Sequence, residues 1–107
     1  MATANKVLGQ SKPAAATPTT LYTVPASTQA NVNVFVSNQA AGNDTVRVAL
    51  TKSGNSLAVS NYLVYDTPIP PKSSLNLTGI ALATGDFITV YCASGNCSFN
   101  ATGIEIS

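Results

Sequence analysis

The 107-residue chain carries five Lys or Arg against four Asp or Glu, with no His and no Trp. A net charge of +1 gives it no electrostatic attraction to nucleic acid or to an anionic membrane. Without an imidazole, Ser-His-Asp and Cys-His catalysis are excluded, and the carboxylates Asp44, Asp66, Asp86 and Glu105 are scattered rather than paired. Only 8% of the residues are charged, and Ser, Thr, Asn and Gln fill 37 positions in their place, which points to a neutral, Thr/Asn-rich β domain with one core. No apolar run approaches the ~20 residues of a membrane helix. The first ten residues lack an apolar core of signal-peptide length, so a protein made in the cytoplasm is expected.

In chain order, residues 1–18 come first and differ from the rest. Gln10-Ser-Lys-Pro-Ala-Ala-Ala-Thr-Pro18 is small and polar, and its prolines disfavour a helix. The segment reads as an extended N-terminal arm, either frayed or laid on a neighbouring subunit through Val7 and Leu8. From Leu21 onward the hydrophobic period is two, and residues 19–107 are expected to form the sandwich domain. Thr20–Val24 is a short strand. Asn31-Val-Asn-Val-Phe-Val-Ser37 places Val32, Val34 and Val36 on one face and Phe35 on the other. Thr45–Thr51 turns Val46, Val48 and Leu50 inward and Arg47 and Thr51 outward. Ser74–Thr78 and Asp86–Tyr91, with the rougher alternations Asn61–Tyr65 and Ser98–Ile106, complete seven or eight short strands separated by Gly/Asn/Pro/Ser turns. The expected fold is all-β: a single antiparallel β-sandwich, jelly-roll or immunoglobulin-like. Thr84-Gly-Asp86 is the turn before one strand, with Gly85 at the positive-φ position. Lys52 and Lys72 are the candidates for guarding exposed edges.

Several residues invite a functional reading. Phe35, Phe87 and Tyr91 lie opposite the regular aliphatic face, so either both sides of the sheet are covered or these rings meet a partner. The run Asp66-Thr-Pro-Ile-Pro-Pro71 is stiff, and Thr67, Pro68, Ile69, Pro70 and Pro71 form either a crossover between sheets or a preformed docking edge. Tyr22, Tyr62, Tyr65 and Tyr91 serve as core and rim tyrosines or, alternatively, as a sugar platform. Cys92 and Cys97 flank a four-residue turn that reads as a hairpin, within reach of a cross-strand disulfide. Reduced thiols are the expected state in a cytoplasmic product, and two Cys alone are too few to hold a metal. No cofactor or metal is therefore expected.

Read in order, Leu8-Gly-Gln10, Leu21-Tyr-Thr-Val-Pro25, the strand ending in Asn38, Tyr65-Asp-Thr-Pro-Ile-Pro70, Gly79-Ile-Ala-Leu82, Thr84-Gly-Asp86, Ser98-Phe99 and Gly103-Ile-Glu105 span nearly the whole chain. This succession resembles a group of small virion structural proteins of tailed bacteriophages. The resemblance implies a non-enzymatic β-sandwich built into the particle. The Cys pair departs from that pattern, which has small residues there. A capsid decoration (cement) protein is the expected function: a homotrimer that bridges major capsid subunits and stabilises the head, with Val7, Leu8, Phe35 and Thr67–Pro71 as contacts. The alternative is a tail, neck or baseplate accessory, such as a fibre-associated module that binds host-surface carbohydrate.

Overall fold

A computed structural model describes residues 3–107. It contains eight strands: β1 (Thr3–Ser11), β2 (Thr19–Thr23), β3 (Gln29–Asn38), β4 (Asp44–Thr51), β5 (Tyr62–Ile69), β6 (Ser74–Leu82), β7 (Phe87–Cys92) and β8 (Cys97–Ile106). One short 3-10 turn, Val59–Asn61, precedes β5. The strands form two four-stranded antiparallel sheets with orders β1-β8-β3-β6 and β2-β7-β4-β5. That pair of orders is the eight-stranded jelly roll, which decides between the two sandwich types that the sequence leaves open. Only β4 and β5 are both consecutive and hydrogen-bonded neighbours; every other connection carries the chain to the opposite sheet.

Alternation builds the core. On β3, Val32, Val34 and Val36 are completely buried, and their β-branched side chains suit a pleated, packed surface. Phe99 and Ala101 from β8 and Ile80 and Leu82 from β6 extend the same layer. Val46 and Val48 of β4, Ile88 and Val90 of β7, and Leu21 and Tyr22 of β2 face it from the second sheet. Leu50 packs against this core while half-buried, as its inward phase requires. Each fully buried Val or Ile contributes on the order of 1.5–3 kcal/mol relative to exposure.

Several expectations need correction. The N-terminal segment is no free arm: from Thr3 to Ser11 it pairs along β8 as an edge strand, so the sandwich begins well before residue 19. Met1 and Ala2 of the expected arm lie outside the described residues. Helical or strand periodicity misses β1 because it is an edge strand with little to bury: Leu8 reaches the core, and Val7 points to solvent. The proline run is likewise not all loop. Asp66–Ile69 finish β5, an edge strand, where Pro68 is tolerated opposite Thr45. Thr51 is buried rather than outward-exposed, and Ala49 and Thr89 are buried beside it on the outer face of the second sheet. The 3-10 turn lies against β4. Lys52 and Lys72 lie in connections, not on edges. The edges are instead blunted by bulges: Leu8 in β1, two in β5, and Thr78-Gly79 in β6, where Gly79 has φ 72°.

Two glycines are fixed by close backbone approach. A Cβ on Gly9 would stand 2.2 Å from the Leu21 carbonyl oxygen, and one on Gly103 2.0 Å from that of Asn31. Gly85 adopts φ 83° in the turn before β7, as its position in Thr84-Gly-Asp86 predicts.

Candidate functional site

The outer face of the second sheet carries a cluster of exposed aromatic side chains around one arginine. Here β5 departs from regular pairing: Tyr65 and Asp66 together oppose Arg47, between the pairs Val46–Thr67 and Val48–Val64. Asp66 takes φ 51°, a left-handed conformation that Asp tolerates better than most residues. The bulge turns both Tyr65 and Asp66 toward the guanidinium. Arg47 Nε donates to Asp66 Oδ1 at 2.6 Å and Nη2 donates to Oδ2 at 3.1 Å, a two-pronged pair. That fork holds the Asp66 carboxyl below the usual range. The guanidinium carbon lies 4.1 Å from the Tyr65 ring centre and 4.3 Å from that of Tyr91. Tyr62 meets Tyr65 edge to face at 4.9 Å. Beside this stack, Val59 is 86% exposed, Tyr65 55% and Leu63 46%. The sequence reading missed Val59 and Leu63, because nothing in a linear pattern shows that a strand edge leaves them bare.

The contact residues expected from sequence do not form one surface. Phe35 sits on the outer face of the first sheet, between Asn76 on β6 and Asn100 on β8. Val7 is on that same sheet, at the edge strand. Pro68, Pro70 and Pro71 are exposed on the other sheet's edge and the turn beyond it, with Thr67 half-buried. Ile69 is only 2% exposed and Leu8 packs on the core, so neither is available to a partner in this structure. The β5–β6 connection is held by Asn38, whose buried Nδ2 donates to the carbonyls of Gly42, Ile69 and Pro70 at 3.0, 2.9 and 3.2 Å. Tyr22 leaves any sugar platform: it is 8% exposed, and its hydroxyl donates to Glu105 Oε2 at 2.5 Å.

All four carboxylates are engaged within the chain. Glu105 pairs with Lys6 at 2.8 Å as well as with Tyr22, and these partners hold it below the usual glutamate range. Asp86 accepts the backbone N–H groups of Ser53 and Ala83. Asp66 belongs to Arg47. Asp44 is buried, and its Oδ2 accepts from Cys92 Sγ at 2.9 Å and from Ser94 Oγ, while Oδ1 accepts from the N–H groups of Thr45 and Ser94. Burial opposes its charge, but these donors outweigh burial and bring its pKa down to about 2.

Cys92 and Cys97 are both free, fully buried thiols. The expected hairpin between them does not exist, because β7 and β8 belong to opposite sheets and residues 93–96 cross the end of the sandwich. Burial, first of all, pushes the Cys97 thiol up, and the neighbouring Cys92 and Asp44 add to that, so it is a poor nucleophile. Two open depressions also mark the described surface. One, of about 340 Å³, lies by Thr28 and Thr84; the other, of about 430 Å³, lies by Lys12, Gln39 and Asn100. Among the described residues no helix is long and apolar enough to cross a membrane. Comparison of the chain with protein-family models, curated proteins and solved structures gave no match.

Proposed function

We propose that this chain is a non-enzymatic structural protein of a phage particle, a capsid decoration protein that bridges major capsid subunits as a homotrimer and stabilises the head. The observation that carries this reading is how the polar chemistry is spent. Every carboxylate, and the one arginine, is consumed by contacts that hold the jelly roll together, and both thiols are buried. What remains outward is surface: two broad sheet faces and their edges, with Phe35, Val7, Leu63 and Tyr65 as apolar contacts. Jelly rolls serve capsids and lectins alike, and the architecture suits the role. The motifs of the resemblance also find structural reasons here. Asn38 anchors Tyr65–Pro70, Gly9 and Gly103 allow close strand approach, and Glu105 ties β8 to β1 and β2. Modest contacts repeated over a lattice sum to a strong hold, and binding that favours the expanded shell stabilises it by linkage.

The test is to add the purified chain to expanded heads that lack it. Saturation at a fixed ratio to the shell protein, with raised resistance to heat, is the expected result, and Phe35→Asp with Tyr65→Asp should weaken it. Heads that take up no protein would refute the reading.

The Arg47–Tyr65–Tyr91 stack with Tyr62 favours a second reading, a tail or fibre accessory that binds host-surface carbohydrate. Tyrosine rings offer sugars an apolar face with a polar tip. Under that reading Tyr65→Ala and Tyr62→Ala abolish host adsorption without unfolding the chain; unchanged adsorption would dismiss it.

A further inference from the structure

Asp44, Cys92 and Cys97 form a buried constellation that the proposed role leaves unused. They are the first residue of β4, the last of β7 and the first of β8, brought together where residues 93–96 cross between sheets. Their oxygen and sulfur atoms all lie within 4.8 Å of one another. Asp44 Oδ2 is 2.9 Å from Cys92 Sγ and 3.7 Å from Cys97 Sγ. Ser94 Oγ is hydrogen-bonded to the same Oδ2, a fourth donor at the same point. The N–H groups of Thr45 and Ser94 hold Oδ1, at 2.9 and 3.1 Å, and so orient the carboxylate.

This set fits a borderline-soft ion. Tetrahedral zinc, with bonds of ~2.3 Å to sulfur and ~2.0 Å to oxygen, separates two sulfurs by roughly 3.8 Å, a sulfur from an oxygen by roughly 3.5 Å and two oxygens by roughly 3.3 Å. The Ser94 hydroxyl must therefore swing away from Asp44 Oδ2 as the ion enters between them. The Cys97–Asp44 spacing already matches, and the Cys92–Asp44 spacing must open by about half an ångström. Two sulfurs disfavour magnesium and calcium, which take oxygen ligands. The charge also balances. A divalent ion that replaces the two thiol protons leaves the buried site at the charge Asp44 alone gives it, so loading adds no uncompensated charge. Ser94 and its turn are exposed, so one turn opening admits the ion.

We propose that Asp44, Cys92 and Cys97, with Ser94 Oγ as the fourth donor, bind one thiophilic divalent cation, Zn2+, which fastens the two sheets at this end of the sandwich. Loading forms two zinc–sulfur bonds, one zinc–carboxylate bond and one bond to the neutral Ser94 hydroxyl, which gives up its hydrogen bond to Asp44 Oδ2, and the two thiol protons pass to solvent; nothing is oxidised or reduced.

The full chain, purified under reducing conditions, is titrated with Zn2+ and, in parallel, with Co2+. One zinc per chain by native mass spectrometry is expected, with the near-ultraviolet thiolate charge-transfer band and strong visible bands of tetrahedral cobalt. Melting should shift upward with Zn2+ and return on chelation. Cys92→Ser with Cys97→Ser, and separately Asp44→Asn, should lose stoichiometric binding. If a variant fails to fold, the cobalt spectrum of the unaltered chain decides alone. Absence of cobalt–thiolate bands, no zinc retained by the reduced chain, or full binding by the double Ser variant would each overturn the proposal. So would a Cys92–Cys97 disulfide whose reduction restores no metal uptake.

Discussion

Asn38 serves four backbone groups from one buried amide: its Nδ2 reaches three carbonyls and its Oδ1 accepts from the Ala40 N–H. Asn38→Ala leaves those groups without a partner in a site closed to water, and should lower the unfolding free energy by about 2 kcal/mol. Urea denaturation measures it, and a loss near zero would mean that water replaces the amide. Thr51 predicts the opposite sign. Its Oγ1 is the buried side-chain oxygen, among the described residues, that has no hydrogen-bond partner. Thr51→Val keeps the shape and removes the unpaired hydroxyl, so a gain of roughly 1 kcal/mol is expected; a variant less stable than the parent would contradict it. Gly103→Ala drives a Cβ against the Asn31 carbonyl and should cost ~2–3 kcal/mol. At this scale the sequence is partly legible. Gly85 declares its turn, and the paired Val residues declare their face. Asn38 and Thr51 do not, because their burial depends on which strands cross above them.

Among the elements, β1 is tied to both sheets by a side-chain clamp in addition to its pairing with β8. Lys6 on β1, Glu105 on β8 and Tyr22 on β2 join an edge strand to its sheet and to the sheet opposite. Glu105 is held below the ordinary value of 4.5, by Lys6 first and then by the Tyr22 hydroxyl. Its contribution is therefore complete above that pH and is lost as pH falls through the lower folded-state value. Stability of the parent should fall more steeply below pH 4.5 than that of Glu105→Gln. At neutral pH the variant should be weaker by on the order of 1 kcal/mol, since the pair is partly solvated. Parallel acid limbs for the two proteins would remove the clamp from the account. Removing residues 1–18 takes away a strand rather than an appendage, so the truncated chain should expose the β8 edge and lose stability. Period-two alternation marks β3, β4, β6 and β7 clearly, and β2, β5 and β8 only in short or rougher form. It fails for β1, where Leu8 alone reaches the core while Val7 beside it faces solvent, and it ends β5 early because Pro68 looks like a loop until the edge position is known.

As a whole the molecule is a sandwich whose sheet order, not its strand count, was hidden from the sequence. Alternation marks which face of a strand is apolar, but both sandwich types satisfy that pattern equally. The order β1-β8-β3-β6 over β2-β7-β4-β5 is a long-range choice, made by pairings such as Asn38 with Cys97 and Thr3 with Ile106. The candidate surface was half legible for the same reason. Tyr62, Tyr65, Tyr91 and Phe35 could be named, but their separation onto two outer faces could not. The Cys pair was seen, while Asp44, which completes the cluster, came from a strand distant in sequence.

The most direct test of the virion role is the copy number of this chain, relative to the major shell protein, in purified particles. The account predicts a fixed, near-stoichiometric ratio to the head lattice. A few copies per particle, or none, would contradict a decoration protein, and a few copies would move the chain to the tail or neck.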